Sequence, residues 1–136
     1  MTLVVDSSMT LAWYFEDEQT PQAMDVLREI GTVGGVVPSL WFWEVANGLQ
    51  MAIRRNRVDT GFRAAALRAL SALPISVDGE ADRHAWTATL RLADRFGLTM
   101  YDAAYLELAL RMALPLATLD RPLAAAARAE AVPVRG

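Results

Sequence analysis

Apolar positions along the chain come in two rhythms, short unbroken runs and stretches with helical spacing, and the two alternate. Residues 2–6, TLVVD, read as a short buried strand, and Ser7 or Ser8 is placed to cap a helix through Met9, Leu11, Ala12 and Trp13. Thr20-Pro21 pairs a cap with a proline at the first helical position, opening a helix to about Ile30 with Ala23, Val26, Leu27 and Ile30 inward. Glycines then lead into a strand at Val36-Val37, which Pro38-Ser39 stops. A helix follows from Leu40 to about Arg54. Asp59 caps an alanine-rich helix with Phe62, Ala66, Leu67 and Leu70 at helical spacing, and Ile75-Ser76-Val77 is a minimal strand. Asp78 is expected to cap a long helix through Trp86, Leu90 and Ala93, stopped by Gly97. In the stretch 98–120, LTMYDAAYLELALRMALPLATLD, the pattern predicts a helix opening on Asp102 and a strand closing on Asp120. Pro122 starts another alanine-rich helix, and Val132-Pro133-Val134 reads as a final edge strand.

Strands separated by helices imply βαβ units. The expected class is α/β, a three-layer α/β/α sandwich with a mainly parallel central sheet. In such sheets ligands bind beyond the carboxyl ends of the strands. Asp6 and Asp120 end predicted strands, Glu44 lies early in a helix that leaves a strand, and Asp102 opens a helix that runs back along the sheet. All four acids therefore belong to one edge. Each also has an ordinary explanation, since Asp6 can cap a helix, Glu44 and Asp102 favour a helix N-terminus, Thr99 with Asp102 fits a capping box, and Asp120 can start a turn. Their convergence changes the weighing. Two like charges about 4 Å apart repel by ~4 kcal/mol at an effective dielectric near 20, so crowded carboxylates need a cation or a proton.

Composition narrows which cation. The 136 residues make one domain, 1–136, with 54% hydrophobic and 21% charged residues. No apolar run approaches the eighteen or so residues needed to span a bilayer, and the strand-like start lacks the order of a signal peptide. A cytoplasmic, membrane-free protein is the expectation. Cysteine is absent, which removes disulfides, thiolate nucleophiles and soft-metal sites. A lone histidine, His84, does not supply the separate acid and base of a metal-free, histidine-driven phosphodiester cleavage. Lysine is absent too, excluding Schiff-base and P-loop chemistry and leaving arginine forks suited to phosphate. The net charge of −3 argues against a strongly basic nucleic-acid binder. A hard divalent ion, Mg²⁺ or Mn²⁺, fits an all-oxygen donor set.

Four segments carry a resemblance: VVDSS with Asp6 and Ser8, PSLWFWEVANGL with Glu44 and Asn47, LTMYDAAYLELA with Asp102, and LATLDRPLAAAA with Thr118 and Asp120. One alone is a weak sign, but four in this order are specific. Together they resemble the PIN domain, and within it the VapC-like ribonuclease toxins of bacterial toxin–antitoxin pairs, over almost the whole chain. The resemblance implies an α/β/α sandwich, a Mg²⁺-dependent endoribonuclease acting on RNA, a homodimer, and a small cognate antitoxin that blocks the site. In such a cluster Asp6, Asp102 and Asp120 hold the metal, directly or through its waters, with Glu44 also a candidate ligand. Glu44 orients a water or assists with its proton, and that water, rather than a ribose 2′-OH, attacks the phosphate. Ser8, Asn47 and Thr118 either orient these groups and the substrate or act only as caps.

Other residues keep two readings. Arg54, Arg55 and Arg57, and likewise Arg91 and Arg95, either grip phosphate or form solvated helix surface. Trp13, Tyr14, Phe15, Trp41, Phe42 and Trp43 either pack the core or line a dimer seam or antitoxin groove. His84 reads as a plain helix-surface residue. The alternatives to a toxin are a non-toxin nuclease of the same fold and a catalytically silent interaction module. An acidic-pocket signalling receiver is disfavoured, because receivers carry a lysine beside the pocket.

Overall fold

The computed structural model describes residues 2–136. The strands are β1 (Leu3–Val5), β2 (Gly35–Pro38), β3 (Ile75–Asp78), β4 (Leu116–Ala117) and β5 (Val134–Arg135). They form one sheet in the order β3-β2-β1-β4-β5, every neighbouring pair parallel. Leu3, Val4 and Val5 are fully buried, as expected of a central strand covered on both faces, whereas β3 at the edge leaves Val77 48% exposed.

The helices are α1 (Ser7–Ala12), α2 (Pro21–Val33), α3 (Leu40–Arg54), α4 (Thr60–Ser71), α5 (Ala81–His84), α6 (Leu90–Phe96), α7 (Met100–Met112) and α8 (Arg121–Ala129), with a π-type turn at Ala85–Thr89 between α5 and α6. From β1 to β3 the chain steps outward one way; it then crosses to β4 and steps outward the other way. With right-handed crossovers this places α1–α4 on one face and α5–α8 on the other, giving an α/β/α sandwich. The direction reverses between β1 and β4, so the crevice outside their carboxyl ends is the topological switch point. No helix among the described residues is long and apolar enough to cross a membrane.

Local chemistry explains where the elements depart from the sequence pattern. Asp78 ends β3 and its carboxylate is held by Arg111 at 2.7 and 3.2 Å; the amides of Glu80 and Ala81, where the helix starts, also bond to it. Arg111 also holds the buried Glu107, tying the edge strand to α7. β4 stops at Ala117, three residues before Asp120: the Thr118 hydroxyl accepts the Asp120 amide at 3.0 Å and turns the chain into α8. Pro133 has no amide to donate, but its carbonyl accepts the Leu116 amide at 2.9 Å, and β5 proper runs over Val134–Arg135. Two glycines permit close approach. Gly34 has φ +82° at the turn into β2, and a Cβ on Gly48 would lie 2.4 Å from a Leu11 methyl, so α1 lies tight against α3.

Of the two aromatic clusters, Trp13, Phe15 and Trp41 are in the core, and Trp41 Nε1 donates to Thr10 at 3.0 Å. Phe42 and Trp43 are 51% and 78% exposed. His84 is half-buried rather than a plain surface residue, its Nδ1 3.9 Å from Glu107.

Candidate active site

At the switch point β1 hands over directly to α1, and Asp6 is both the last residue before the helix and its cap. Its Oδ1 accepts from the Met9 amide at 2.9 Å and from the Ser8 hydroxyl at 2.8 Å, while its Oδ2 accepts from Thr118 across the crevice. Ser8 in turn accepts the Leu119 amide at 3.1 Å, so Ser8 and Thr118 lace the end of β1 to the loop after β4. Asp6 is only 2% exposed. Burial pushes its carboxyl up to about 6, and the nearby Asp102 adds to the rise; bonds from Met9, Thr118 and Ser8 work the other way.

Asp120 caps α8, Oδ2 accepting the Leu123 amide at 2.9 Å. Asp102 lies in the first turn of α7, which Thr99 caps through the Asp102 amide at 3.1 Å. Half-buried, Asp102 is raised above the ordinary carboxylate range by desolvation first and then by the charges of Asp120 and Glu44, against a hydrogen bond with Thr99. Asp6 feels Asp102, and Asp102 feels both Asp120 and Glu44, so the four acids form one electrostatic group. Glu44 sits in the second turn of α3. Its Oε1 accepts from Tyr105 at 2.7 Å and from Ser7 at 3.2 Å.

Among the described residues, none of the four acids is paired with an arginine, and no three His, Cys, Asp or Glu side chains close into a finished metal shell. Each acid is turned to local hydroxyls and amides. The chemistry of the donors still fits a hard divalent ion: they are all oxygen, two are shifted upward by burial and mutual repulsion, and no side-chain cation neutralises them.

Asn47 lies one turn beyond Glu44, exposed, with no side-chain hydrogen bond among the described residues. Arg57 is held by Asp17 and Glu18 and lies over the Phe15 ring; Arg95 is paired with Glu130. Neither stands free for phosphate. Arg54, Arg55 and Arg91 are exposed. Sequence reasoning missed Tyr105 and treated Ser7 only as a cap. Tyr105 was signalled by its place three residues after Asp102, one turn along the same helix face. It is fully buried, and burial followed by the charge of Glu44 and the hydrogen bond to it keeps its phenol protonated.

The chain matches the PIN domain family model. That model matches residues 3–129, and the chain belongs to the PIN domain family. The chain is 34% identical over 131 residues to Ribonuclease VapC3 of Pyrobaculum aerophilum, covering 91% of this chain and 93% of that protein. Its fold is similar to the crystal structure of PAE2754 from Pyrobaculum aerophilum, with TM-score 0.68, 28% identity, and 93% of this chain and 79% of that one covered. The fold is also shared, at TM-score 0.58 and 18% identity, with a chain of a toxin–antitoxin complex from Klebsiella pneumoniae, covering 88% of this chain and 87% of that one.

Proposed function

We propose that this chain is a metal-dependent endoribonuclease of the VapC type, the toxin of a toxin–antitoxin pair, working as a single-domain cytoplasmic homodimer restrained by a small antitoxin. The observation that carries the nuclease reading is the group of four acids with no cationic side chain paired to them at the switch point. A relative named as a ribonuclease, aligned over nine-tenths of both chains, supports the same chemistry. The exposed Phe42, Trp43, Trp86 and Tyr101 offer apolar surface to the proposed protein partners.

Asp6, Asp102 and Asp120, with Glu44 beside them, would hold Mg²⁺, or Mn²⁺ in its place. When bound, the ion supplies Lewis acidity, easing the formation of a nucleophile from water and offsetting charge on the scissile phosphate. Ser8 and Thr118 fix the Asp6 carboxylate through the hydrogen bonds described above. The α8 amide bond on Oδ2 of Asp120 leaves Oδ1 available to a ligand. Glu44 orients the attacking water and accepts its proton; Asn47, on the same helix one turn on, contacts the RNA.

Incubating the purified chain with total cellular RNA tests the proposal. Cuts at a few positions with Mg²⁺ or Mn²⁺, none with EDTA and none with Asp6→Asn are the expected result. Cleavage that persists in EDTA would overturn the metal requirement, and folded, antitoxin-free protein that cuts no RNA would overturn the ribonuclease reading.

A further inference from the structure

Glu44 differs from the other acids in how it is held. Asp6 and Asp120 are fixed by helix amides, through Met9 and Leu123. The Glu44 carboxylate stands on a longer, more flexible stem inside α3, where no free helix amide reaches it. Two hydroxyls from outside that helix take over: Tyr105 of α7 at 2.7 Å and Ser7 of α1 at 3.2 Å. Both donate to the same oxygen, Oε1, and Oε2 accepts no hydrogen bond among the described residues. α1, α3 and α7 come from both faces of the sheet, so this one oxygen joins the two halves of the fold at the crevice. Tyr105 is fully buried, which leaves its ring few other places to go, and it lies one turn from Asp102.

We infer that Tyr105, assisted by Ser7, is a positioning residue that locks Glu44 by Oε1 and presents Oε2 to the reaction. The inference rests on the nuclease reading of the acid group. Neither hydroxyl touches substrate in this role; each acts through the carboxylate it orients. A carboxylate fixed by one oxygen keeps the second in constant register with the other acids, and loss of such outer support typically costs 10–100-fold in metal affinity or activity.

The test uses the full chain with Tyr105→Phe, Ser7→Ala, Glu44→Ala and the Tyr105→Phe/Glu44→Ala double variant, reading steady-state RNA cleavage and Mn²⁺ affinity by calorimetry. Tyr105→Phe keeps the buried ring and removes only the donor. The expected result is a fall of about tenfold in kcat at unchanged KM and about tenfold weaker Mn²⁺ binding, and no further weakening when the same change is made in Glu44→Ala. Equal losses of Mn²⁺ affinity with and without Glu44 would assign Tyr105 a packing role and overturn the inference. So would Tyr105→Phe behaving as the parent chain. Ser7→Ala covers the case in which Tyr105→Phe does not fold: it must weaken Mn²⁺ binding in the same direction, and an unchanged affinity overturns the inference. A parent chain that neither cuts RNA nor binds Mn²⁺ overturns the nuclease reading, and the inference with it; a parent chain that does both isolates the fate of Tyr105.

Discussion

Replacing Asp6 by Asn is expected to stabilise the metal-free fold above neutral pH while removing its nuclease activity. Asp6 is 2% exposed and its carboxyl is raised from 3.8 to about 6, chiefly by burial. The folded chain therefore holds this proton more tightly than the unfolded chain. The stability linked to it is complete below pH 3.8 and is lost as pH rises through about 6. A difference of about two pH units, at 1.36 kcal/mol for each, makes the charged form cost ~3 kcal/mol at pH 8. Asn keeps the acceptor for Met9 and Ser8, and its amide can donate to a Thr118 hydroxyl that turns to accept. Those bonds are already within the net shift, but the amide brings a second N–H that the buried carboxyl lacks, and leaving it without an acceptor costs about 1 kcal/mol. The net gain is about 2 kcal/mol at pH 8, or about 7 °C in Tm for a chain of this size. Urea denaturation in EDTA from pH 4 to 8 measures it, with the gap between variant and parent closing toward pH 4. An Asn variant less stable than the parent at pH 8, or a gap independent of pH, would refute the reasoning. Mg²⁺ should then raise the parent's midpoint more than the variant's.

Other substitutions probe other parts of the structure. Arg111→Met leaves the buried Glu107 and Asp78 without their cation and should cost about 3–5 kcal/mol at neutral pH by urea unfolding. Arg111 holds Asp78 below its ordinary value, so the stability Asp78 contributes is present above pH 3.8 and lost as pH falls through its lower folded value; the gap should narrow there. Thr118→Val strips Asp6 Oδ2 and the Asp120 amide of their partner and should destabilise by about 2 kcal/mol in the same assay, and a change below about 0.5 kcal/mol would mean the crevice is not laced as described. Asp102→Asn should lower RNA cleavage by ~100-fold or more with little loss of stability, since it makes no arginine pair; parallel loss of both would point to a structural role.

The acids were legible because chain topology alone puts strand ends and helix starts on one edge, without side-chain geometry. Asp6 as a cap and Asp120 near the end of β4 follow from that rule. The same local signals fall short where a distant partner joins in. Asp78 was legible at the join of strand and helix, and the Glu80 and Ala81 amides bond to it there, but its pairing with Arg111, 33 residues on, has no local sign. Tyr105 was marked locally only by its place one turn after Asp102; its hydroxyl meets Glu44 across 61 residues, a bond that tertiary packing alone decides. The aromatic clusters divided in the same way. Trp13 and Trp41 are drawn inward by acceptors for their indole N–H groups, on Ala23 and Thr10, while Trp43 on the outer side of α3 is left exposed.

An anomalous difference map from a crystal of the full chain soaked in Mn²⁺ addresses the acid group directly. A peak about 2.1 Å from carboxylate oxygens of Asp6, Asp102 and Asp120 is the expected result, with the side chains drawn in toward the ion. A fully soaked crystal whose Mn²⁺ lies elsewhere, or whose acids hold none, would contradict the assignment of the crevice as a cation-dependent nuclease site.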